Sequence, residues 1–380
     1  MNRRKFLTVT SVFISSLLIR KRANAAGTII VGKPKSQIKD PQKTLGRNSK
    51  VISVHSNNVT SWDYKSYPYV DFIDYQKVKT MLDTGLMALT NTTKPEAAWN
   101  HLFRSYTKHD LIAVKPNLND IYAEFRGFLT SPTLIKAIVD GLNNYLGVMG
   151  KQIIIYDCSR AIPNFYRDKV DRDVQYVEGW GSSLWRRIKH HTFENLSTPD
   201  YSKKIDMPVR VENDNGDPVQ CYLPKCLTKV KHIINLPILQ SHQFILATGA
   251  LKNHYGTVRF GDGMGYPKYL HPPIIHEAIA AINAHPDIKS KTRLIVMDAL
   301  FGRLAKKGGM PQKWQTFENK SPKRLFLSHD PVALDAITAN IIRKELQERD
   351  EEVFSDEYLS LAEKMGVGTR TFITVKEVEV

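Results

Sequence analysis

Cysteine is scarce in this chain: only Cys158, Cys221 and Cys226 occur in 380 residues. A disulfide-stapled scaffold needs more of them and an even number. Zinc-site and ferredoxin spacings are both absent, so no iron–sulfur cluster is expected. Cys221 and Cys226 lie close in CYLPKC, and an oxidising compartment would allow them to pair. Their odd separation, however, turns the side chains to opposite faces unless Pro224 bends the strand. Long apolar runs are missing too. The stretch from Phe6 to Ile19 is too short and too rich in Ser and Thr for a membrane span, which takes about 20 apolar residues. No long tract is rich in Pro, Gly, Ser or Gln, and no repeat of solenoid length recurs, which argues against disorder and repeat architectures. A basic stripe interleaved with aromatics is also lacking, so no nucleic-acid partner is expected.

What is present is a globular composition, 42% apolar, long enough for one large domain or two ordinary ones. Residues 1–25 are of another kind. MNRRKFLTVTSVFISSLLIRKRANA has a basic start, an apolar centre and a small-residue site at Ala23, Asn24 and Ala25, the pattern of a signal peptide; an uncleaved anchor fits its length less well. Arg3 and Arg4 followed by Lys5, Phe6 and Leu7, with a second basic cluster at Arg20, Lys21 and Arg22, resemble a twin-arginine signal. The export machinery of that route is thus an expected partner, and the expected location is the periplasm or another exported site. Six of the 54 basic residues and none of the 38 acidic ones fall in this leader, so the formal charge drops from +16 to +10 on its removal. A chain that basic favours anionic partners, here an anionic small molecule.

Beyond the leader, residues 26–100 read as an extended N-terminal region with one convincing helix near Asp74 to Leu89. An α/β domain follows over 101–380: a mostly parallel sheet flanked by helices, with a polar insertion at about 161–217 that carries His190 and His191. Its strands are expected at Asp110 to Lys115, in QIIIYD, at His232 to Leu236, in TRLIVMDALFG and in RLFLS. Ser131 before Pro132, and Asp330 before Pro331, have the form of helix N-caps. LAEKMGVGTRTFITVKEV reads as helix, glycine turn and strand.

Each of these strands ends in polar residues on its C-terminal side: Lys115 and Asn117, Asp157 and Ser159, Gln240 and His242, Asp298, then His329 and Asp330. In a parallel sheet such ends share one edge, where open α/β folds place their ligand crevice. The segment LQSHQFILATGALKNHYGTVRFGDG adds Lys252 as a point charge for phosphate or carboxylate, Asn253 as donor and acceptor, and His254. Its glycines would let backbone approach a ligand or take positive φ. Neither a P-loop nor a dinucleotide fingerprint is present. The candidates are therefore Lys115, Asn117, Asp157, Lys252, Asn253, His254 and His271 for binding, and His242, Asp298 and Asp330 for proton transfer. Asp298 and Asp330 are also suited to a divalent metal such as Mg²⁺. His271 and His276 are five residues apart, which is not the spacing of a helical zinc pair.

VKPNL, TSP with its helix, INLPIL, SH, TGALKNHYG, MDAL and SHDPVALDA occur in this order. Through them the chain resembles the family named domain of unknown function 362, from about Ile112 to Ala336. The resemblance implies that Asn117, Asp157, His242, Lys252, Asn253, His271, Asp298, Asp330 and Asp335 match recurring polar positions. Gln240 and Ser241 depart from the Lys-Thr common there, and the cysteines of the iron–sulfur module carried by some members are absent. The order of His242, Thr248-Gly249-x-x-Lys252, Gly256 and His271 is also similar to the pincer-cofactor region of lactate racemase relatives, where a lysine holds a pyridine-derived nickel cofactor.

Overall fold

A computed structural model of the protein describes residues 48–119, 127–170, 173–179, 194–305 and 309–380. The leader expected over residues 1–25 and the histidine pair at 190–191 lie outside them. Among the described residues twelve strands are formed: β1 (Ser49–His55), β2 (Ile112–Pro116), β3 (Ile153–Asp157), β4 (Gln175–Glu178), β5 (Pro199–Ile205), β6 (Cys221–Pro224), β7 (His232–Leu236), β8 (Ile238–Gln240), β9 (Arg259–Phe260), β10 (Thr292–Arg303), β11 (Arg324–Ser328) and β12 (Ile373–Glu379). Nine of them build one sheet in the order β12-β1-β11-β10-β7-β2-β3-β4, with β8 also paired to β10.

This is an α/β fold, and its strands are apolar along their length because both faces of the sheet are covered. Val51, Ala113, Ile154, Ile233 and Ile295 point into one core, and Ile52, Ile112, Ile155, Ile234 and Val296 into the other. Alternate residues of a strand project to opposite faces, so each strand feeds both cores. The second core is closed by α1 (Tyr75–Thr90), α2 (Pro95–Leu102) and α3 (Pro132–Leu146). The first is closed by α4 (Ala250–Asn253), α5 (Ile275–Ala284), α6 (Pro331–Glu348) and α7 (Glu357–Lys364). Short polar side chains stop and start these helices. Asp74 caps α1 through the Lys77 amide, and Ser131 caps α3 through the Leu134 amide. Gly147, at φ +66°, ends α3 in the left-handed conformation that glycine enters without steric cost.

The N-terminal region and the insertion join the architecture more closely than their composition implies. From Ser49 onward the chain is part of the sheet: β1 lies between β11 and β12, with Val51, Ile52 and Val54 fully buried. Within the insertion, β4 extends the main sheet parallel to β3, and β5 opens a three-stranded antiparallel sheet with β6 and β9. These strands are short, and β4 and β5 lie at sheet edges. An edge strand needs less apolar sequence than a buried one.

Strand direction departs from the expectation in one place with consequences for the site. All main-sheet pairings are parallel except those of β11, which runs antiparallel to both neighbours. Arg324 pairs with Ala299 and Ser328 with Ile295, so β11 ends beside the start of β10. Parallel neighbours need a long crossover, usually a helix, whereas antiparallel ones can be joined by a loop. Between β10 and β11 the described residues contain only the short turn Gln315–Phe317.

Candidate functional site

Asn253 seats α4 over the C-terminal ends of the parallel strands. Its Nδ2 donates to the Lys115 carbonyl on β2 at 3.0 Å and to Asn235 Oδ1 on β7 at 2.7 Å. Asn235 Nδ2 in turn donates to the Ala250 carbonyl at 2.9 Å. The Gly256 carbonyl accepts from the Cys158 amide just past β3, at 2.7 Å. His254 is buried beneath this turn, with Nδ1 3.2 Å from Thr257 Oγ1. Burial, reinforced by the charge of Lys115, pushes its imidazole down to a pKa of about 3 and keeps it neutral.

Two carboxylates clamp the same turn, and they account for its glycines. Asp335, fully buried on α6, accepts from the Ala250 and Leu251 amides at 2.6 and 3.0 Å. A Cβ on Gly249 would lie 2.2 Å from Asp335 Oδ1. A Cβ on Gly256 would lie 2.5 Å from Asp157 Oδ2. The close approach that demands glycine at these two positions is therefore to the protein's own carboxylates and not, as expected, to a ligand. Asp335 thus serves the amides of α4 rather than those of its own helix. Burial raises its carboxyl to about 7 against the pull of the two amides.

Lys115 and Asp157 form a buried ion pair at 2.9 Å. Lys115 Nζ also donates to the Pro116 carbonyl, and Asp157 Oδ1 accepts from the Ser159 amide and hydroxyl at 2.8 and 2.9 Å. Every charge in this group is answered from within.

Lys252 differs. It is 6% exposed, and its Nζ lies 4.0 Å above the ring of Tyr255, with no hydrogen-bond or ion-pair partner among the described residues. Burial and the positive charge of Arg160 press its amine from 10.5 down to about 7. Arg160 itself, just after β3, lies with its guanidinium carbon 4.4 Å over the ring of Tyr266. His242 and His271 complete the cluster, their rings nearly parallel with centroids 6.2 Å apart. Burial and the charge of Lys252 hold both imidazoles neutral, with pKa values of about 2 for His242 and about 4 for His271. Tyr255 meets His271 edge-on. Two exposed aromatics flank it: Phe244 is 41% and Tyr266 39% exposed, and both pack on His271.

The two imidazoles have opposite polarity. His242 Nδ1 receives the Phe244 amide at 3.2 Å, so its proton sits on Nε2. His271 Nδ1 faces the Pro267 carbonyl at 3.1 Å and must donate to it, which leaves Nε2 as an acceptor. One ring thus offers a donor and the other an acceptor without either being charged.

The remaining expected residues are placed elsewhere. Asp298 is buried on β10 and accepts from the Ser131 amide at 2.7 Å and the Leu300 amide at 3.2 Å, tying β10 to the start of α3; burial raises its carboxyl. Asn117 is buried, with Oδ1 on the Asn119 amide and Nδ2 without a hydrogen-bond partner among the described residues. Asp330, expected to act on protons, and His329 beside it do not reach this edge, because the reversed β11 carries them to the other one. There Asp330 caps α6 through the Val332 and Ala333 amides, both at 2.9 Å, and accepts from Ser49 Oγ and the Thr369 amide. Cys226 approaches Cys158 rather than Cys221, at 4.0 Å between sulfurs, and all three cysteines are free and buried.

Arg160, Tyr255, Phe244 and Tyr266 were not among the expected residues. Arg160 had a readable signal, since it stands three residues beyond Asp157 at a strand end. The aromatics gave none beyond their nearness to Lys252 and His271 in sequence. Among the described residues no three His, Cys, Asp or Glu side chains gather to hold a metal ion.

The fold and this cluster define an α/β protein with two cations, two neutral imidazoles and exposed aromatic rings gathered at the C-terminal edge of a mostly parallel sheet. Residues 112–340, more than half of the chain, match the model of the family described as domain of unknown function 362, and the chain belongs to that family. No curated protein matches the chain.

Proposed function

We propose that this protein is an exported enzyme that binds an anionic organic substrate or cofactor at the Lys252 cluster. The observation that carries the reading is a buried lysine without a counter-charge among the described residues, placed next to a second cation. Such an arrangement is costly when empty and is relieved when an anion enters, because the anion restores the ammonium form. Lys252 fixes the anion, Arg160 adds to the positive field, and Tyr255, Tyr266 and Phe244 supply apolar walls for the organic part. His242 and His271, one a donor and one an acceptor, move or hold a proton beside it. The basic, signal-like leader supports export, and the net positive charge of the chain supports an anionic ligand.

Lys252→Ala tests this directly. It is expected to abolish binding of small organic anions, measured by calorimetry, while the melting temperature stays nearly unchanged. A large fall in melting temperature with binding retained would make Lys252 structural.

The same cluster supports a second reading, a non-catalytic holder of a cofactor for other exported proteins. Lys252, without a partner among the described residues, and His271 through Nε2 would hold a lysine-anchored metal cofactor of the pincer kind. Mass spectrometry and metal analysis of protein recovered from its native compartment separate the two. A stoichiometric ligand with no product favours the holder.

A further inference from the structure

A lysine at a binding site ordinarily has a carboxylate or carbonyl partner that keeps it charged in the free protein, as Lys115 has in Asp157. Lys252 has an aromatic face on one side, a guanidinium nearby and two neutral imidazoles, with no hydrogen-bond or ion-pair partner among the described residues. This environment selects against an ammonium group in the free protein and for a nucleophilic amine, made by desolvation and a neighbouring cation.

We propose that Lys252 forms a Schiff base with the carbonyl carbon of an anionic aldehyde or ketone, the smallest of the class being 2-oxo acids. The inference rests on the anion reading above and deepens it: the carboxylate is the anion, and the carbonyl beside it is the reacting group. The neutral Nζ attacks the carbonyl carbon, and the C–O π pair moves to oxygen. A proton passes from nitrogen to oxygen to give the carbinolamine. Loss of the hydroxyl with a second proton from nitrogen releases one water and leaves the C=N bond. No electrons are gained or lost. His271 Nε2 is available to accept a proton in this sequence, and His242 Nε2–H to donate a hydrogen bond to the oxygen.

The amine's depressed pKa, from 10.5 to about 7, gives Lys252 free base at neutral pH in excess of an exposed lysine by roughly a thousandfold. Lower basicity also lowers intrinsic nucleophilicity, so a labelling advantage of at least about tenfold is expected.

The test uses the whole protein, pyruvate and cyanoborohydride at neutral pH, with peptide mapping by mass spectrometry. Lys252 should acquire the reduced pyruvate adduct at least about tenfold faster than exposed lysines such as Lys376, while Lys115 stays unlabelled. Excess lactate, which has the carboxylate but no carbonyl, should protect Lys252. If Lys252 is not labelled while calorimetry shows lactate bound, the Schiff base is overturned and the anion reading stands. If Lys252 is labelled and lactate neither binds nor protects, the amine is reactive as proposed and the anion reading falls. Labelling confined to exposed lysines with no lactate binding overturns both.

Discussion

Two lysines are buried over the same sheet edge, and among the described residues only Lys115 of the two has a counter-charge. Lys115, at the end of β2, is held by Asp157 and a carbonyl at ordinary ion-pair distances. Lys252, on α4, has an aromatic ring and a neighbouring guanidinium instead. Burying an ammonium group in isolation is costly enough that proteins either pair it or let it lose its proton. Lys115 follows the first course and Lys252 the second. The pairing makes Lys115 part of the frame on which α4 is seated, and the lack of pairing leaves Lys252 as the group a ligand can satisfy.

The difference can be broken from the Lys115 side. Asp157→Asn leaves the Lys115 charge buried without its partner and should cost about 3–5 kcal/mol, read from denaturant unfolding. A smaller effect is expected from Gly256→Ala, whose Cβ would lie 2.5 Å from Asp157 Oδ2. Crowding the same carboxylate should cost about 1–3 kcal/mol, with no corresponding loss for an alanine at Gly261, whose Cβ would meet nothing closer than 3.4 Å. The antiparallel β11 supplies a control at the opposite edge. Asp330→Ala removes a helix cap and should cost about 1 kcal/mol while leaving anion binding intact. Lys252→Met should cost no stability at neutral pH, because it removes an amine whose burial is uncompensated, yet abolish anion binding.

Lys252 also carries a pH signature that Lys252→Met should erase. Its amine titrates near 7 in the folded chain against 10.5 ordinarily. Between those values the unfolded chain holds the extra proton, so the stability of the wild type relative to the variant rises as pH goes from about 7 to about 10.5. Affinity for a saturated anion such as lactate should run the other way, weakening as pH rises through the same midpoint, because the bound state needs the ammonium form. Calorimetry across that range measures both.

Much of the frame was legible in sequence. Apolar runs such as HIINL and QIIIYD, and the pairs Ser131-Pro132 and Asp330-Pro331, give strands and helix starts by local chemistry alone, and the structure has them at those places. Lys252 could be singled out because a lysine between glycines has no packing role. Strand direction was not legible, since an apolar run reads the same either way, and the loop from β10 to β11 sent Asp330 to the wrong edge for the expected site. Nor could sequence distinguish Lys115 from Lys252. Which of them meets a carboxylate depends on Asp157, 42 residues from the first, and on where α4 lands. The two glycines were read correctly as close-approach positions and wrongly as to what approaches.

The most direct measurement is an NMR titration of the Lys252 side-chain amine in lysine-labelled protein, with and without lactate. A midpoint near 7 that moves upward when lactate is added is the expected result. A midpoint near 10.5, unmoved by lactate, would mean that Lys252 is an ordinary solvated lysine and that no uncompensated charge waits at this edge.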